Sequence, residues 1–192
     1  MATSLQSLHW TDGQDNPGGV KTVLYFIHLS EVINFPLINP NPTTFEDLVN
    51  LVGNFELAPG KAWYKIYGTL EKGGITSSLV GERDGKSFEN RCKFFHPGSQ
   101  AEIFGFAEHL KNTDLVILMK ELDDQVRVFG TKYIPAKVDV AESNTGEAVA
   151  DLKGIEITIK SIGRMAPVYY GVIQTVPGEN SSYPYTYPFP LS

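Results

Sequence analysis

The stretch Gly81-Glu82-Arg83-Asp84-Gly85-Lys86-Ser87 is where residue types in this 192-residue chain first suggest chemistry. Two glycines followed by Lys and Ser have the composition of a phosphate-binding loop, whose backbone N–H groups and lysine converge on phosphate oxygens. The glycines are one residue too close for that motif. Such a loop must also lead from a strand into a helix, so that its N–H groups point at the ligand. Here strand-like runs, Ile75–Glu82 and Lys86–His96, lie on both sides of Asp84-Gly85. Asp-Gly between two such runs signals a β-hairpin, so the stretch is predicted to be a hairpin tip. Gly18-Gly19 is read in the same way, as a backbone bend into a strand that starts at Val20.

The other reactive residue types are scattered. The four histidines are His9, His28, His96 and His109, and no two stand at the short sequence spacing of a metal-binding pair. Cys92 is the single cysteine, which rules out an intrachain disulfide, and it is expected to act as a buried hydrophobe. No serine lies in a nucleophile-elbow pattern. Glu82, Glu89, Glu121, Asp123, Asp124 and Asp139 fall at turns or outward strand positions, where a solvated face is the expectation. No convergent polar set of the kind catalysis requires emerges. The chain therefore reads as a non-enzyme, with no catalytic, cofactor-binding or metal-binding residues and no cofactor.

Composition narrows the partners. With 16 Lys+Arg against 22 Asp+Glu the net charge is −6, which argues against a protein that grips nucleic-acid phosphates. A hydrophobic content of 42% over this length suits a single domain spanning 1–192, and 12 Pro with 18 Gly suit many turns. MATSLQSLHW has neither the basic nor the apolar region of a signal peptide, and no apolar run approaches the roughly 20 residues that span a bilayer. A soluble protein made in the cytoplasm is the expectation.

Elements must position these residues, and almost all of them read as strands. The exception is Ser99–Asn112, where Ile103, Phe106, Ala107 and Leu110 recur at helical spacing and Phe104 widens the stripe. Ser99 and Glu102 have the spacing of a capping box. One amphipathic helix among strands must bury its stripe on a sheet. Val20–Ile27 carries Val20, Thr22, Leu24 and Phe26 on one face and Val23, Tyr25 and Ile27 on the other, so cover is expected on both sides. Asp114–Glu121 is likewise apolar on both faces. Lys61–Leu70, Gln125–Gly130, Tyr133–Ala141 (with Pro135 at an edge or bulge), Gly154–Ser161 and Val168–Thr175 are the remaining predicted strands. In Gly154–Ser161, Ile155, Ile157 and Ile159 face in, while Glu156, Thr158 and Lys160 face out. In the return strand of the hairpin, Phe88, Cys92 and Phe94 face in.

Three segments stand outside this pattern. Residues 1–18 are polar and read as an N-terminal arm. Asn34–Gly60 is Pro-rich yet holds Phe35, Leu37, Ile38, Phe45, Leu48, Leu51, Val52 and Phe55, too apolar for a loop in water. It is expected to pack on another subunit. Val176–Ser192 interleaves Tyr183, Tyr185, Tyr187 and Phe189 with Pro184, Pro188 and Pro190. That composition favours an extended arm, about 3.1 Å per residue, that docks on a neighbour.

The order of these features resembles the tail tube (major tail) proteins of siphophages and prophages of Bacteroidetes-type hosts. The resemblance runs from Pro17 to Gly171. It rests on Gly18-Gly19-Val20-Lys21, the Pro-rich loop, Asp84-Gly85, the Phe95/Pro97-Gly98 step and the single helix. It continues through Gln125–Gly130, Asn144-Thr145-Gly146, Lys153-Gly154 opening an Ile-rich strand, and Ala166-Pro167 before Tyr169-Tyr170-Gly171. It implies two packed antiparallel sheets, a β-sandwich or half-barrel, flanked by one helix. It further implies homohexameric rings whose inner sheets join into one barrel, stacked into a virion tail tube through the long loop and the termini. DNA passes down the lumen without specific binding, and the tape measure and terminator proteins are partners. An acidic lumen that repels phosphate would use Glu82, Asp84, Glu89, Asp123 or Asp124. Other readings are a terminator or contractile-system tube protein, and a sandwich adhesin or carbohydrate module stacking sugars on Trp63, Tyr67, Tyr169 and Tyr170. A small-ligand barrel would need convergent polar groups not visible here.

Overall fold

Two strands that are apolar on both faces dictate the architecture, because each must sit between two cores. The structure, a computed structural model, describes residues 5–176. Its first strands are β1 (Val20–His28), β2 (Val32–Asn34), β3 (Leu37–Ile38), β4 (Asn50–Val52), β5 (Glu56–Leu57), β6 (Tyr64–Tyr67), β7 (Gly74–Val80) and β8 (Ser87–Pro97). After the helix α1 (Ala101–Leu110) come β9 (Leu115–Glu121), β10 (Val126–Phe129), β11 (Lys137–Asn144), β12 (Gly154–Gly163) and β13 (Val168–Tyr169). A seven-stranded sheet has the order β3-β4-β13-β10-β9-β1-β6, a four-stranded sheet the order β11-β12-β8-β7, and β2 pairs with β5. Among the described residues the fold is mainly β with one α-helix, as expected. Its sheets are not wholly antiparallel, since β13 runs parallel to β4.

The larger sheet is the wall between two cores. On one side, Val20 and Leu24 of β1 and Leu115, Ile117 and Met119 of β9 meet Cys92 and Phe94 of β8 and Ile155, Ile157 and Ile159 of β12. Ile103 and Leu110 of α1 close this core, with Phe106 and Ala107 packed against it. On the other side, Ile27 of β1 and Val116 and Leu118 of β9 meet Phe55, Trp63, Val126, Val128 and Tyr169. Residues 115–118 are completely buried, and each aliphatic side chain so placed contributes about 1.5–3 kcal/mol relative to exposure. Cys92 is also completely buried, and burial pushes its thiol pKa well above the ordinary range.

Several expectations are corrected. The helix begins at Ala101 with Gln100 as N-cap and no side-chain capping bond, so the Ser99–Glu102 capping box does not form. Gln100 is still extended (φ −68°, ψ 154°), so the helical backbone starts only at Ala101, after the Gly98 N–H has paired with the Lys153 carbonyl at 2.9 Å. Phe104 is exposed rather than part of the stripe, about 100° round the helix from Ile103. The strand predicted at Tyr133–Ala141 starts at Lys137 and runs on to Asn144. A turn in which the Thr131 N–H donates to the Ile134 carbonyl (2.7 Å) precedes it. The predicted strand Val168–Thr175 stops at Tyr169, because the Asn54 side chain takes the Val172 N–H at 2.9 Å and draws the chain off the ladder.

Residues 34–60 do not stand away from the body. They contribute β3, β4 and β5, and Phe55, Phe35, Leu51 and Leu57 pack into the second core. Phe55 makes edge-on contacts with Phe35, Trp63 and Tyr169, at centroid distances of 5.4, 5.2 and 5.1 Å. Those residues therefore find part of their cover within the chain, and Phe35, Leu51 and Phe55 also line a groove open to solvent. Leu37, 70% exposed, and Val52 remain outward. The aromatic residues of the tail, Tyr183, Tyr185, Tyr187 and Phe189, lie outside the described residues.

Candidate functional site

The outer face of the four-stranded sheet is built by the strand period of two. Cys92, Phe94, Ile157 and Ile159 point into the core, so Glu89, Arg91, Lys93, Glu156 and Lys160 stand on the opposite face. Arg91 reaches Glu89 at 2.8 Å and Asp139 at 2.6 Å, and Lys160 reaches Asp139 at 3.3 Å. Lys93 pairs with Glu156 at 3.3 Å. Glu89, hydrogen-bonded to Arg91, holds the guanidinium pKa above its ordinary value. Exposed pairs of this kind contribute little to stability, so their effect is mainly to leave the face nearly neutral. Phe95 also belongs to this face but is buried against the edge of Gly154, where a Cβ would come within 2.5 Å of its ring.

The five candidate lumen acids do not share one patch. Glu82 and Asp84 are at the exposed tip between β7 and β8, where Gly81 and Asp84 take left-handed φ of 96° and 67°. That tip is a hairpin turn with no helix behind it, as its Asp-Gly indicated. Glu89 is ion-paired on the sheet face. Asp123 and Asp124 form the turn between β9 and β10 in the other sheet. Asp124 bridges Lys21 at 2.5 Å and Lys120 at 2.7 Å, and hydrogen bonds from Lys120 and then Lys21 lower its pKa to about 2. Asp124→Asn keeps the residue types that tolerate its φ of 72° and removes only the charge. Folded-state stabilisation by a depressed carboxylate is present above its unfolded value and lost as pH falls through the folded one. The wild type should therefore hold a small advantage over Asp124→Asn above pH 3.8 that fades towards pH 2, read from urea midpoints across pH.

The predicted contact residues are partly brought together. Phe35, Leu37, Ile38 and Leu51 line a groove of about 460 Å³ between the two sheets, with Tyr133 and Ile134 on its rim. Lys132 and Arg164 also line it, and neither has an ion pair among the described residues. Phe45 and Leu48 are half-buried in the turn before β4 and take no part in the groove. Its floor includes Asn90, buried and fully engaged with Ser77, Arg164 and Ala166. Of the aromatics considered for sugar stacking, Trp63 and Tyr169 are each 1% exposed and belong to the second core. Only Tyr170 is well exposed.

One juxtaposition escaped the sequence. His28 at the end of β1 and His109 in the last turn of α1 meet with Nε2 atoms 3.4 Å apart, although 81 residues separate them. No spacing rule could have found this pair, because it depends on how the helix lies on the sheet. Among the described residues no group of three or more His, Cys, Asp or Glu could hold a metal ion, and no helix is long and apolar enough to cross a membrane.

The class this geometry defines is a mainly β fold in which a seven-stranded and a four-stranded sheet pack with a flanking helix, the four-stranded sheet having an ion-paired outer face and, among the described residues, β7 and β11 as its edges. The chain matches no protein-family model, no curated protein and no solved structure.

Proposed function

We propose that this chain is a non-enzymatic structural subunit of a phage tail tube, in which rings of identical copies stack into a conduit for DNA. The observation that carries this reading is the parity of the four-stranded sheet. Its strands alternate in direction, so β7 and β11 at its two edges run opposite ways. Copies related by rotation about one axis can therefore set β7 of one beside β11 of the next and continue the antiparallel order without a break. Joining them removes the exposed edges, which are otherwise a route to aggregation. Six four-stranded sheets make roughly two dozen strands, and barrels of roughly 16–18 already leave an aqueous channel.

The outer face of that sheet becomes the lumen. Arg91, Lys93 and Lys160 are all paired with acids, so among the described residues these three cations of the wall are already neutralised before DNA phosphates meet them. This revises the acidic-lumen expectation: release comes from neutralised bases, and at the hairpin tips Glu82 and Asp84 are balanced by Arg83 and Lys86. The groove and the tail supply the head-to-tail contact. At Thr175 the chain bridges Trp63, which leads into the edge strand β6, whereas the groove lies by β3 and β4 at the opposite edge of the sheet. A donor and an acceptor on opposite edges favour a heterologous interface, which grows rings and filaments. Tyr183, Tyr185, Tyr187 and Phe189 of one copy suit the apolar groove of the next, with Lys132 and Arg164 available for cation–π contact.

Negative-stain electron microscopy across a concentration series tests the proposal, with rings or stacked tubes expected. A monomer at every concentration would overturn it. Deleting Ser182–Ser192 should weaken stacking or ring closure while leaving the circular dichroism spectrum unchanged. Full assembly of the truncated chain would remove the arm from the proposal and keep the tube.

A further inference from the structure

The contact between α1 and β1 has two rungs. Phe26 packs edge-on against Phe106 at a centroid distance of 5.2 Å, and His28 packs against His109 at 5.4 Å with the same interplanar angle of 74°. The register follows from the two periodicities: residues two apart share a strand face, and residues three apart share a helix face. The phenylalanine rung is tied to the core, so it holds the histidine rung in place at the solvent end.

The two Nε2 atoms are 3.4 Å apart. That is long for a hydrogen bond, for which N–H donors prefer about 2.7–3.2 Å. It does match one shared ion: two Zn–N bonds of about 2.0–2.1 Å at the tetrahedral angle separate their nitrogens by about 3.3–3.4 Å. We propose that His28 and His109 form a two-histidine site for a divalent transition metal of the zinc type, which clamps α1 to the end of β1. Imidazole suits such ions, whereas Mg²⁺ prefers all-oxygen ligands. Asp114 nearby in the chain is engaged with Lys137 at 3.0 Å, so the remaining positions go to water or to a donor from another molecule. The inference stands apart from the tube reading.

Isothermal titration of the full chain with Zn²⁺ tests it. One saturable site per chain is expected, with no response to Mg²⁺. His28→Ala or His109→Ala should weaken Zn²⁺ binding at least tenfold, whereas His9→Ala, in the exposed N-terminal segment, should leave it unchanged. Zn²⁺ should also raise the melting temperature of the wild type and of neither site variant. Histidine-ring NMR of the wild type gives a reading that needs no variant. Signals of His28 and His109 should shift together with Zn²⁺ while His96, whose Nδ1 lies 2.8 Å from the Tyr67 carbonyl, stays in place. No saturable binding by the wild type, equal affinity in a site variant, or ring shifts confined to the other histidines would each overturn the proposal.

Discussion

Ile117→Ala and Leu118→Ala should each cost about 2–5 kcal/mol of folding free energy, read from urea denaturation. The two residues are neighbours on β9 and both completely buried, but they empty different cores. Ile117 packs between the two sheets with Phe94 and Ile157, and Leu118 packs on the other side with Trp63 and Tyr169. An ordinary sandwich strand at a solvated sheet would show one large and one small loss. Here both are large, because Leu29, Val32, Phe55, Leu57 and Ile173 pack over the second face. Domains of this kind have about 5–15 kcal/mol in total, so either variant removes a large share. A loss within about 0.5 kcal/mol for Leu118→Ala, the range of surface substitutions, would mean that the second core does not form.

Asn90→Ala should be a costly polar substitution, at about 2–4 kcal/mol. Asn90 sits on the core-facing side of β8 and is 3% exposed. Its Nδ2 donates to the Arg164 carbonyl at 2.7 Å, while its Oδ1 accepts from the Ala166 N–H at 3.0 Å and from the Ser77 hydroxyl at 2.6 Å. One side chain thus satisfies the backbone where β12 leaves one sheet and β13 joins the other. Truncation leaves the buried Ala166 N–H without this partner, at about 1–3 kcal/mol, and removes the part-buried bond to the Arg164 carbonyl, at about 0.5–1.5 kcal/mol. Denaturant unfolding gives the loss, and amide exchange should show faster opening at Ala166. A loss below about 0.5 kcal/mol would show that the connection is held by other contacts. Because Asn90 and Arg164 also line the groove, the variant should loosen that surface as well.

Much of the fold was legible from pattern. The two-faced apolar runs of β1 and β9 announced two cores, and the Ile155/Ile157/Ile159 alternation announced a half-buried strand. Asp84-Gly85 announced a turn rather than a phosphate loop. Each signal is local, because strand period and turn chemistry are set by neighbours in the chain. The helix stripe was also readable at Ile103, Phe106, Ala107 and Leu110, though its first turn was not. Gly98 pairs with the Lys153 carbonyl, 55 positions along the chain, and Gln100 stays extended, so the helix begins at Ala101.

The candidate site was less legible. Apolar residues in 34–60 were recognised as needing cover, but hydrophobicity does not say whose surface provides it. Phe35, Leu51 and Phe55 found it within the chain, and Leu37 did not. The acids were recognised as outward, but their charge state as a surface depends on Arg91, Lys93 and Lys160 arriving from cross-strand positions. The histidine pair needed the helix to be laid on the sheet.

By itself, then, the amino-acid sequence determined the mainly β class, the helix after Pro97-Gly98 and the hairpin at Asp84-Gly85, because these follow from periodicity and short-range backbone preference. Tertiary structure alone decided the second roofed core, the groove between the sheets, the neutralised outer face and the meeting of His28 with His109. All four come from contacts between residues far apart in the chain, whose free energy depends on which surfaces the packed sheets bring within a few ångströms of one another.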